Sequence, residues 1–328
     1  MIACVRKGGA EMFDGFNYTV QGESHIKSGK VCQDWSDFKA HENYAVAVVA
    51  DGHGSKKHFR SDVGSKLAVK VTLKTIDNFY HNAFDFEKSF EKNPQKVIKK
   101  IQKYIISYWN KEVSWYHRNN PVTDEEKKNF TDDEFKAIKM ESMYGTTLIA
   151  VIIGKNFSFG LQIGDGSLVV LDSDCETEMP IESDENPANL TASMCNSNAI
   201  DMFSLFYTFD KPLAMFVSTD GLYTSFGSSE DFLDYHTIIA GQLDNPDDFK
   251  SIVLRNLTKR TKYGTQDDIS FSCVFDKTLI DENIKAIRNQ IQINNSRSAM
   301  RKAEHAAKIK KMKAKQAMLR QQNEENQQ

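Results

Sequence analysis

The chain of 328 residues carries 42 basic and 45 acidic side chains, a formal net charge of -3, with 40% hydrophobic and 27% charged residues. This composition is that of a globular protein; it excludes fibrous and mucin-like chains, and the charge balance does not favour nucleic-acid binding by the whole chain. No stretch approaches the roughly 18 uninterrupted apolar residues of a membrane helix, and the N-terminus lacks a signal-peptide pattern. Because the five cysteines are scattered and form no Cys-x-x-Cys pair, we expect reduced thiols in a cytoplasmic protein without an integral membrane segment.

The first half of the chain combines one core strand with long helices. Residues 44–50 are valine-rich and apolar on both faces, which is typical of a buried strand, and this run ends at Asp51. Apolar residues at helical spacing predict two long amphipathic helices, over 59–79 and 94–115. Residues 119–143 are polar and acidic, so we expect a surface excursion with one short helix.

The second half is dominated by strand-like sequence, with a polar, irregular stretch over 172–200. A helix is predicted over 246–262, and strands are predicted over 146–153, 157–163, 167–171, 203–209, 213–218 and 269–275. This element order is neither the regular alternation of a doubly wound sheet nor an all-β chain. We therefore predict an α+β fold in which segregated helices cover stacked antiparallel sheets.

The C-terminal segment differs in composition from the rest of the chain. From about residue 281 it has no glycine or proline, and residues 296–320 hold nine lysines and arginines against the single acid Glu304. Its apolar positions are too small for a coiled-coil seam, so we predict a basic helical or partly disordered tail over 279–328, after a domain over 1–278. Two interpretations of the tail remain open: it binds an acidic partner or surface, or it is a solubilising helix that folds back on the acidic body.

Acidic residues stand at four predicted strand ends, each beside a glycine or another acid. Taken singly, such a residue more often belongs to a tight turn than to a metal site. If the strand ends converge, however, the carboxylates repel each other and are stable together only around a cation or when protonated. A ligand set made of oxygens alone selects Mg or Mn rather than zinc. The four positions are Asp51-Gly, Gly-Asp165-Gly, Asp220-Gly and Asp267-Asp.

Motifs around these acids resemble the metal-dependent serine/threonine protein phosphatases of the PPM, or type 2C, family. In family order, they are VADGHGS at 49–55, GTTLI at 145–149, IGDG at 163–166, STDGL at 218–222 and DDIS at 267–270. Upstream, SHI at 24–26 and CQD at 32–34 resemble the entry motif of the bacterial-like branch. The resemblance spans about residues 20–276. It implies a four-layer αββα sandwich of two antiparallel β-sheets flanked by helices, here with a C-terminal helical extension.

The resemblance also implies an activity. Family members hydrolyse phosphoserine and phosphothreonine in proteins by in-line attack of a water that bridges two Mg or Mn ions. The implied partners are a phosphorylated protein substrate and a cognate serine/threonine kinase. The alternative is a catalytically weak phosphoprotein-binding module of the same fold. The presence of every core acid favours the enzyme.

The resemblance assigns the two main metal ions to four positions and a supporting role to a fifth. Asp51 resembles the carboxylate that bridges the two ions, and the Gly52 carbonyl resembles a further ligand. Asp220 and Asp267 resemble ligands of the second ion, while Asp268 resembles a supporting hydrogen-bonding residue.

The resemblance suggests outer roles for two more acids and a catalytic role for one histidine. Asp34 resembles an acid that acts largely through metal-bound water, and Asp165 matches the position that helps to hold a third, weaker ion. His53 resembles the general acid that protonates the leaving oxygen; the alternative is a packed structural histidine. His58 is expected at the surface.

The chain departs from the family pattern at the phosphate-binding position. Many members have an arginine shortly before the first acid, but no arginine occurs between Arg6 and Arg60 here. His25, Lys27 or Lys30 would therefore have to bind the substrate phosphate. The third-ion motif, Gly-Asp-Gly-Ser, also differs from the usual Gly-Asp-Ser-Arg.

Overall fold

The computed structural model describes residues 12–181 and 191–325. Its strands are β1 (Phe13–Val20), β2 (Trp35–Ala40), β3 (Tyr44–Ala50), β4 (Leu148–Gly154), β5 (Ser158–Ile163), β6 (Ser167–Leu171), β7 (Thr177–Glu178), β8 (Ser204–Thr208), β9 (Ala214–Ser218) and β10 (Ile269–Asp276). Its α-helices are α1 (Glu23–Ser28), α2 (Ser61–Tyr80), α3 (Ala83–Lys92), α4 (Pro94–Asn119), α5 (Asp124–Lys127), α6 (Asp132–Ala137), α7 (Met140–Met143), α8 (Asp220–Tyr223), α9 (Ser229–Ala240), α10 (Pro246–Tyr263) and α11 (Lys277–Glu325). The N-terminal start of the predicted domain, Cys4 and part of the 172–200 stretch lie outside the described residues.

The strands form two five-stranded antiparallel sheets. One has the order β1-β10-β9-β6-β7, and the other has the order β2-β3-β4-β5-β8. Helices cover the outer face of each sheet, which confirms the predicted αββα sandwich. None of the helices in the described ranges combines the length and hydropathy needed to cross a membrane.

The central strands are apolar on both faces because both faces are covered. On β3, Val46 and Val48 pack among residues of α2 and α4, whereas Ala47 and Val49 pack between the two sheets. All seven residues of β3 are buried. This double burial explains why the sequence shows a continuous apolar run there instead of an alternation of apolar and polar residues.

Several elements differ from the sequence predictions. The polar stretch 119–143 contains three short helices instead of one. Two of them begin with a capping box, built by Thr123 with Glu126 and by Thr131 with Glu134. The structure also adds elements that the apolar patterns did not reveal: β1, β2, α3 and α9.

The C-terminal helix α11 is docked at its beginning and projects from the domain at its end. Ile280 and Ile287 are buried in the core beneath the first sheet, where they pack with residues of α9 and α10. Farther along the helix, Arg288 donates to both carboxylate oxygens of Asp244, at 2.8 and 2.9 Å. Residues 302–313 are exposed throughout.

Candidate metal centre and active site

Three carboxylates from different parts of the chain converge at one end of the sandwich. Asp51 follows β3, Asp165 lies in the turn between β5 and β6, and Asp220 follows β9. Each offers one oxygen, and these oxygens lie within 4.8 Å of one another. The two sheets thus bring together acids that are up to 169 residues apart in sequence.

The backbone of Asp51 is fixed by the two threonines of the GTTLI motif. The Asp51 carbonyl accepts hydrogen bonds from the Thr146 hydroxyl and the Thr147 amide, both at 2.8 Å. The Asp51 amide donates to the Thr147 hydroxyl at 3.0 Å. These bonds hold the residue after β3 in register with the start of β4, so the carboxylate is positioned by its own backbone.

Gly52 is required by close packing. Its amide donates to the Gln33 carbonyl at 3.1 Å. A Cβ at this position would lie 2.6 Å from the Gln33 carbonyl oxygen and 2.8 Å from the Ser61 carbonyl, both backbone groups that cannot move aside. The glycine therefore allows three segments of backbone to meet beside Asp51.

Asp34 and the Asp220 turn are connected through Thr219. The Thr219 hydroxyl donates to Asp34 at 2.7 Å and accepts from the Ser270 amide at 2.9 Å. Gly221 lies against the neighbouring strand, where a Cβ would be only 2.3 Å from the Asp268 carbonyl oxygen. The STDGL motif thus joins the end of β9 to the start of β10 and to Asp34.

Asp268 is held by two backbone amides and a histidine. Its carboxylate accepts from the Gly22 and Gln33 amides, both at 2.7 Å, and lies 2.9 Å from His25 Nδ1. Asp267, one residue earlier, is exposed and stands outside the group of three converging acids, although it lines the same cavity. The structure therefore places Asp268 as a buried clamp and Asp267 at the rim.

Asp51 and Asp165, two of the three converging acids, line a polar cavity of about 210 Å³. It is lined by His25, Gln33, Asp34, Asp51, Gly52, His53, Gly54, Asp165, Thr191, Asp267 and Asp268. Lys27 and Lys30 are not among its lining residues. Lys27 lies 3.6 Å from Glu23, one turn back on α1, and Lys30 is exposed. Of the three predicted phosphate ligands, the structure brings only His25 to the cavity.

Burial and mutual repulsion raise the pKa values of the acids. The pKa of Asp34 and that of Asp51 are raised well above the usual value, first by burial and then by neighbouring carboxylates. Burial, followed by the charges of Asp165 and Asp267, raises the pKa of Asp220 to about 6. Raised pKa values at Asp34, Asp51 and Asp220 mean that these carboxylates resist ionisation together, which a nearby cation would relieve.

His53 and His58 lie beside this cluster with ring centroids 4.9 Å apart. Burial, then the charges of His58 and Lys57, lower the pKa of His53 to about 4. The prediction that His58 lies at the surface is wrong: it is 7% exposed, and its Nδ1 bonds the Ser142 carbonyl. The cause is the 119–143 segment, which folds over the Lys-Lys-His turn.

The donor set fits hard divalent cations. Asp51, Asp165 and Asp220 supply oxygens alone, and within the described ranges no lysine or arginine forms an ion pair with any of them. Mg²⁺ and Mn²⁺ take carboxylate and carbonyl oxygens in this way. The Gly52 carbonyl and Asp34, which line the cavity, offer further oxygens.

Sequence reasoning assigned no role to the residues that position the acids. Thr146, Thr147 and Thr219 fix Asp51 and Asp34, and Gln33 contacts the Gly52 amide and the His53 carbonyl. The signal was present, because these residues stand inside or beside the motifs. A hydroxyl next to a buried acid is a predictable hydrogen-bond donor, but its partner depends on the fold.

Comparison with known proteins agrees with this geometry. Residues 21–259 match the family described as protein phosphatase 2C. A comparison with curated proteins finds no match. Among solved structures, a C. elegans sex determining protein is 12% identical with a TM-score of 0.53, and the match covers 84% of this chain and 67% of that one.

Two bacterial structures are similar over comparable lengths. PppA, a regulatory component of the T6SS in Pseudomonas aeruginosa, is 18% identical with a TM-score of 0.49, covering 80% of this chain and 97% of that one. The S. agalactiae serine/threonine phosphatase is 15% identical with a TM-score of 0.47, covering 80% and 99%. Because the family match extends over most of the sequence, the chain belongs to the protein phosphatase 2C family of metal-dependent serine/threonine protein phosphatases.

Proposed function

We propose that hydrolysis of phosphoserine and phosphothreonine in proteins takes place at the cluster of Asp51, Asp165 and Asp220. The observation that carries this proposal is the approach of their carboxylate oxygens to within 4.8 Å, with no lysine or arginine of the described ranges paired to them. Bound Mg²⁺ or Mn²⁺ would supply a water nucleophile of lowered pKa and positive charge for the phosphoryl oxygens.

The proposed ligands divide between the two sheets. We assign two ions to Asp51, the Gly52 carbonyl, Asp220 and Asp267, and a third, weaker ion to Asp165. Asp165 is exposed and accepts a 2.9 Å hydrogen bond from Thr191, which supports a looser site. Asp34, held by Thr219, orients solvent at the cavity floor.

His53 is the proposed general acid. With a pKa of about 4 it is neutral near pH 7 in the metal-free protein. A bound phosphate dianion beside the imidazole favours its protonated form, because an opposite charge at short range raises a histidine pKa. His25, whose Nδ1 is held by Asp268 and which lines the same cavity, is the proposed phosphate-contacting residue.

The first test is turnover of a small aryl phosphate and a phosphothreonine peptide, with Mn²⁺ or Mg²⁺ and with a chelator. We expect metal-dependent hydrolysis, and a loss of about a thousandfold in Asp220→Asn, since mutations that remove charge stabilisation at a transition state cost 10²–10³ or more. Asp281→Asn, an exposed acid on α11, is the matched control and should turn over as the native chain does.

Undiminished turnover in a folded Asp220→Asn protein would overturn the ligand assignment. Absence of turnover in the native chain, together with tight phosphopeptide binding, would instead support the phosphoprotein-binding module.

A second test separates His53 from the metal ligands. A general acid matters most when the leaving oxygen is strongly basic, so His53→Gln should slow the phosphothreonine peptide by about 10²-fold or more. The aryl phosphate, whose phenolate leaves readily, should be affected far less. Equal slowing of both substrates would assign His53 to metal or phosphate positioning.

Further parts of the proposal concern setting and partners. A phosphorylated protein substrate requires a serine/threonine kinase to supply it, so we include a cognate kinase among the partners.

The cysteines support a reducing, cytoplasmic location, because four of them are free thiols: Cys32, Cys175, Cys195 and Cys273.

We divide the chain into a phosphatase domain over 1–278 and a tail over 279–328. The tail is anchored by its first part, through Ile280 and Ile287, and is exposed over 302–313. The exposed lysines of that outer part support binding to an acidic partner or surface.

A further inference from the structure

A second, larger cavity lies between α2, α3 and α4, on the outer face of the helical layer. Its volume is about 720 Å³, and its walls carry an aromatic strip of Phe86, Phe79, Tyr104 and Tyr108. Successive rings of this strip are 5.6, 5.8 and 5.8 Å apart between centroids. Tyr104 and Tyr108 remain 40% and 38% exposed, whereas Phe86 at the other end of the strip is 5% exposed and belongs to the core, so the strip leads from the core to solvent.

The rim of this groove is positively charged. Lys96, Lys100, Tyr104 and Tyr108 recur every four residues, which puts them on one face of α4. Lys92, Lys96 and Lys100 all line the groove, and Asp85 is the one acid among its lining residues. Within the described ranges these three lysines form no ion pair, whereas their neighbour Lys99 lies 2.9 Å from Asp201.

The groove is remote from the acid cluster. Helix α2 begins at Ser61, whose hydroxyl accepts from Gln33 beside the metal centre, and Phe79 near its other end lines the groove. At about 1.5 Å per residue, the two points are about 27 Å apart along the helix. An occupant of the groove therefore leaves the acid cluster open.

We propose that this groove docks an acidic segment of a partner protein that inserts an aromatic or large aliphatic side chain. The aromatic strip provides the apolar surface for the anchor, and the rim lysines, which form no ion pair in the described part of the chain, complement acidic flanking residues. A concave pocket suits one or two side chains of a peptide, whereas a lipid surface or a nucleic-acid backbone would use a flatter and more extended basic face.

The test is binding of a fluorescein-labelled peptide of glutamates around one phenylalanine to the full chain, followed by anisotropy. The double variant Lys96→Glu, Lys100→Glu should weaken binding about tenfold or more, and added salt should weaken binding to the native chain. Lys103→Glu is the matched control. Lys103 is exposed on the same helix but does not line the groove, so its reversal should change affinity little. This comparison also separates the groove from the basic tail, which is unchanged in all three proteins.

The anchor is tested by a double-mutant cycle. Tyr104→Ala and replacement of the peptide phenylalanine by alanine should each weaken binding, and together should weaken it by less than the product of the two effects. Equal affinity for the Lys96/Lys100 and Lys103 variants, or independent effects in the cycle, would overturn the proposal. So would preferential, Lys96/Lys100-dependent binding of anionic phospholipid vesicles or polyuridylate, or self-association through this face in sedimentation. Because binding alone is measured, the result does not depend on phosphatase activity.

Discussion

Two charged assemblies lie close together in the chain, and they differ in whether their charges are paired within the protein. Arg60 donates all five of its N–H groups within the protein: two to Glu126, two to the Asn120 and Pro121 carbonyls, and one to the Tyr144 hydroxyl. In contrast, the cluster around Asp51 has three acids and no cationic side chain paired with it in the part of the chain that the structure describes.

The difference distinguishes a structural charge from a functional one. Arg60 holds the 119–143 segment against the start of α2, and it is fully used in doing so. This explains why the first arginine after Arg6 does not serve the substrate phosphate. The Asp51 cluster keeps its repulsion, which protonation or a bound cation would relieve.

The largest expected effect on stability comes from substitution of Arg60. Arg60→Gln would leave the Glu126 carboxylate and two carbonyls without their donor, and removing one partner of a buried pair costs about 3–5 kcal/mol. Urea unfolding should show this loss in the free energy of unfolding. Arg255→Gln, at an exposed position on α10, should change it by less than about 0.5 kcal/mol. An equally small change in the free energy of unfolding for Arg60→Gln would mean that the Arg60 hydrogen bonds do not stabilise the fold.

The cluster of Asp51, Asp165 and Asp220 should instead be stabilised by an added metal ion. Mn²⁺ at about 100 times its dissociation constant should raise the free energy of unfolding of the native chain by about 2.7 kcal/mol. Asp220→Asn should lose most of this stabilisation. In chelator, however, it should be as stable as the native chain or more stable by up to about 1 kcal/mol, because one repelling charge is gone. If the variant is strongly destabilised in chelator, the acid is structural.

A smaller effect is expected from pH. Hydrogen bonds from Arg60 lower the pKa of Glu126 to about 2, below its ordinary value in the unfolded chain. A lowered carboxyl pKa stabilises the fold above the unfolded value, and this stabilisation is lost as pH falls from about 4.3 towards 2. The pKa change alone corresponds to about 3 kcal/mol, and solvent screening of this partly exposed carboxylate reduces the expected stabilisation to roughly 2 kcal/mol. Glu126→Gln should therefore lose less stability than the native chain over this interval in acid unfolding curves.

Glu91→Gln, an exposed change on α3, should follow the native curve. If the acid unfolding curves of the native chain and Glu126→Gln run parallel, protonation of Glu126 does not contribute to the loss of stability.

The double sandwich could be predicted because its central strands are unmistakable. A strand such as β3, buried on both faces, has a continuous apolar sequence, and the acids follow such strands directly. The sequence does not predict strand β1, because it is an edge strand with the polar residues Asn17 and Thr19. Its strand conformation depends on pairing with β10. Pairing over such a separation leaves no local pattern.

At the site, residue types could be predicted but contacts could not. Acids that stand next to a glycine could be recognised in the sequence. The burial of His58, in contrast, depends on contact with a segment about 80 residues later in the chain. Lys27 looked like a phosphate ligand because it stands near the first motif. Its position on α1 instead places its ammonium beside Glu23.

The pairing of β1 with β10 has a consequence for synthesis. Thr19 and Ser270, whose hydroxyl oxygens are 2.7 Å apart, are separated by 251 residues, so β1, although it is made first, has no partner in its sheet until β10 is translated near the end of the domain. The 49 residues of α11 follow, and at about 5–20 residues per second they take roughly 2–10 s to make. During this interval the nascent domain is still tethered to the ribosome, kept apart from other unfinished chains while its open sheet edge closes.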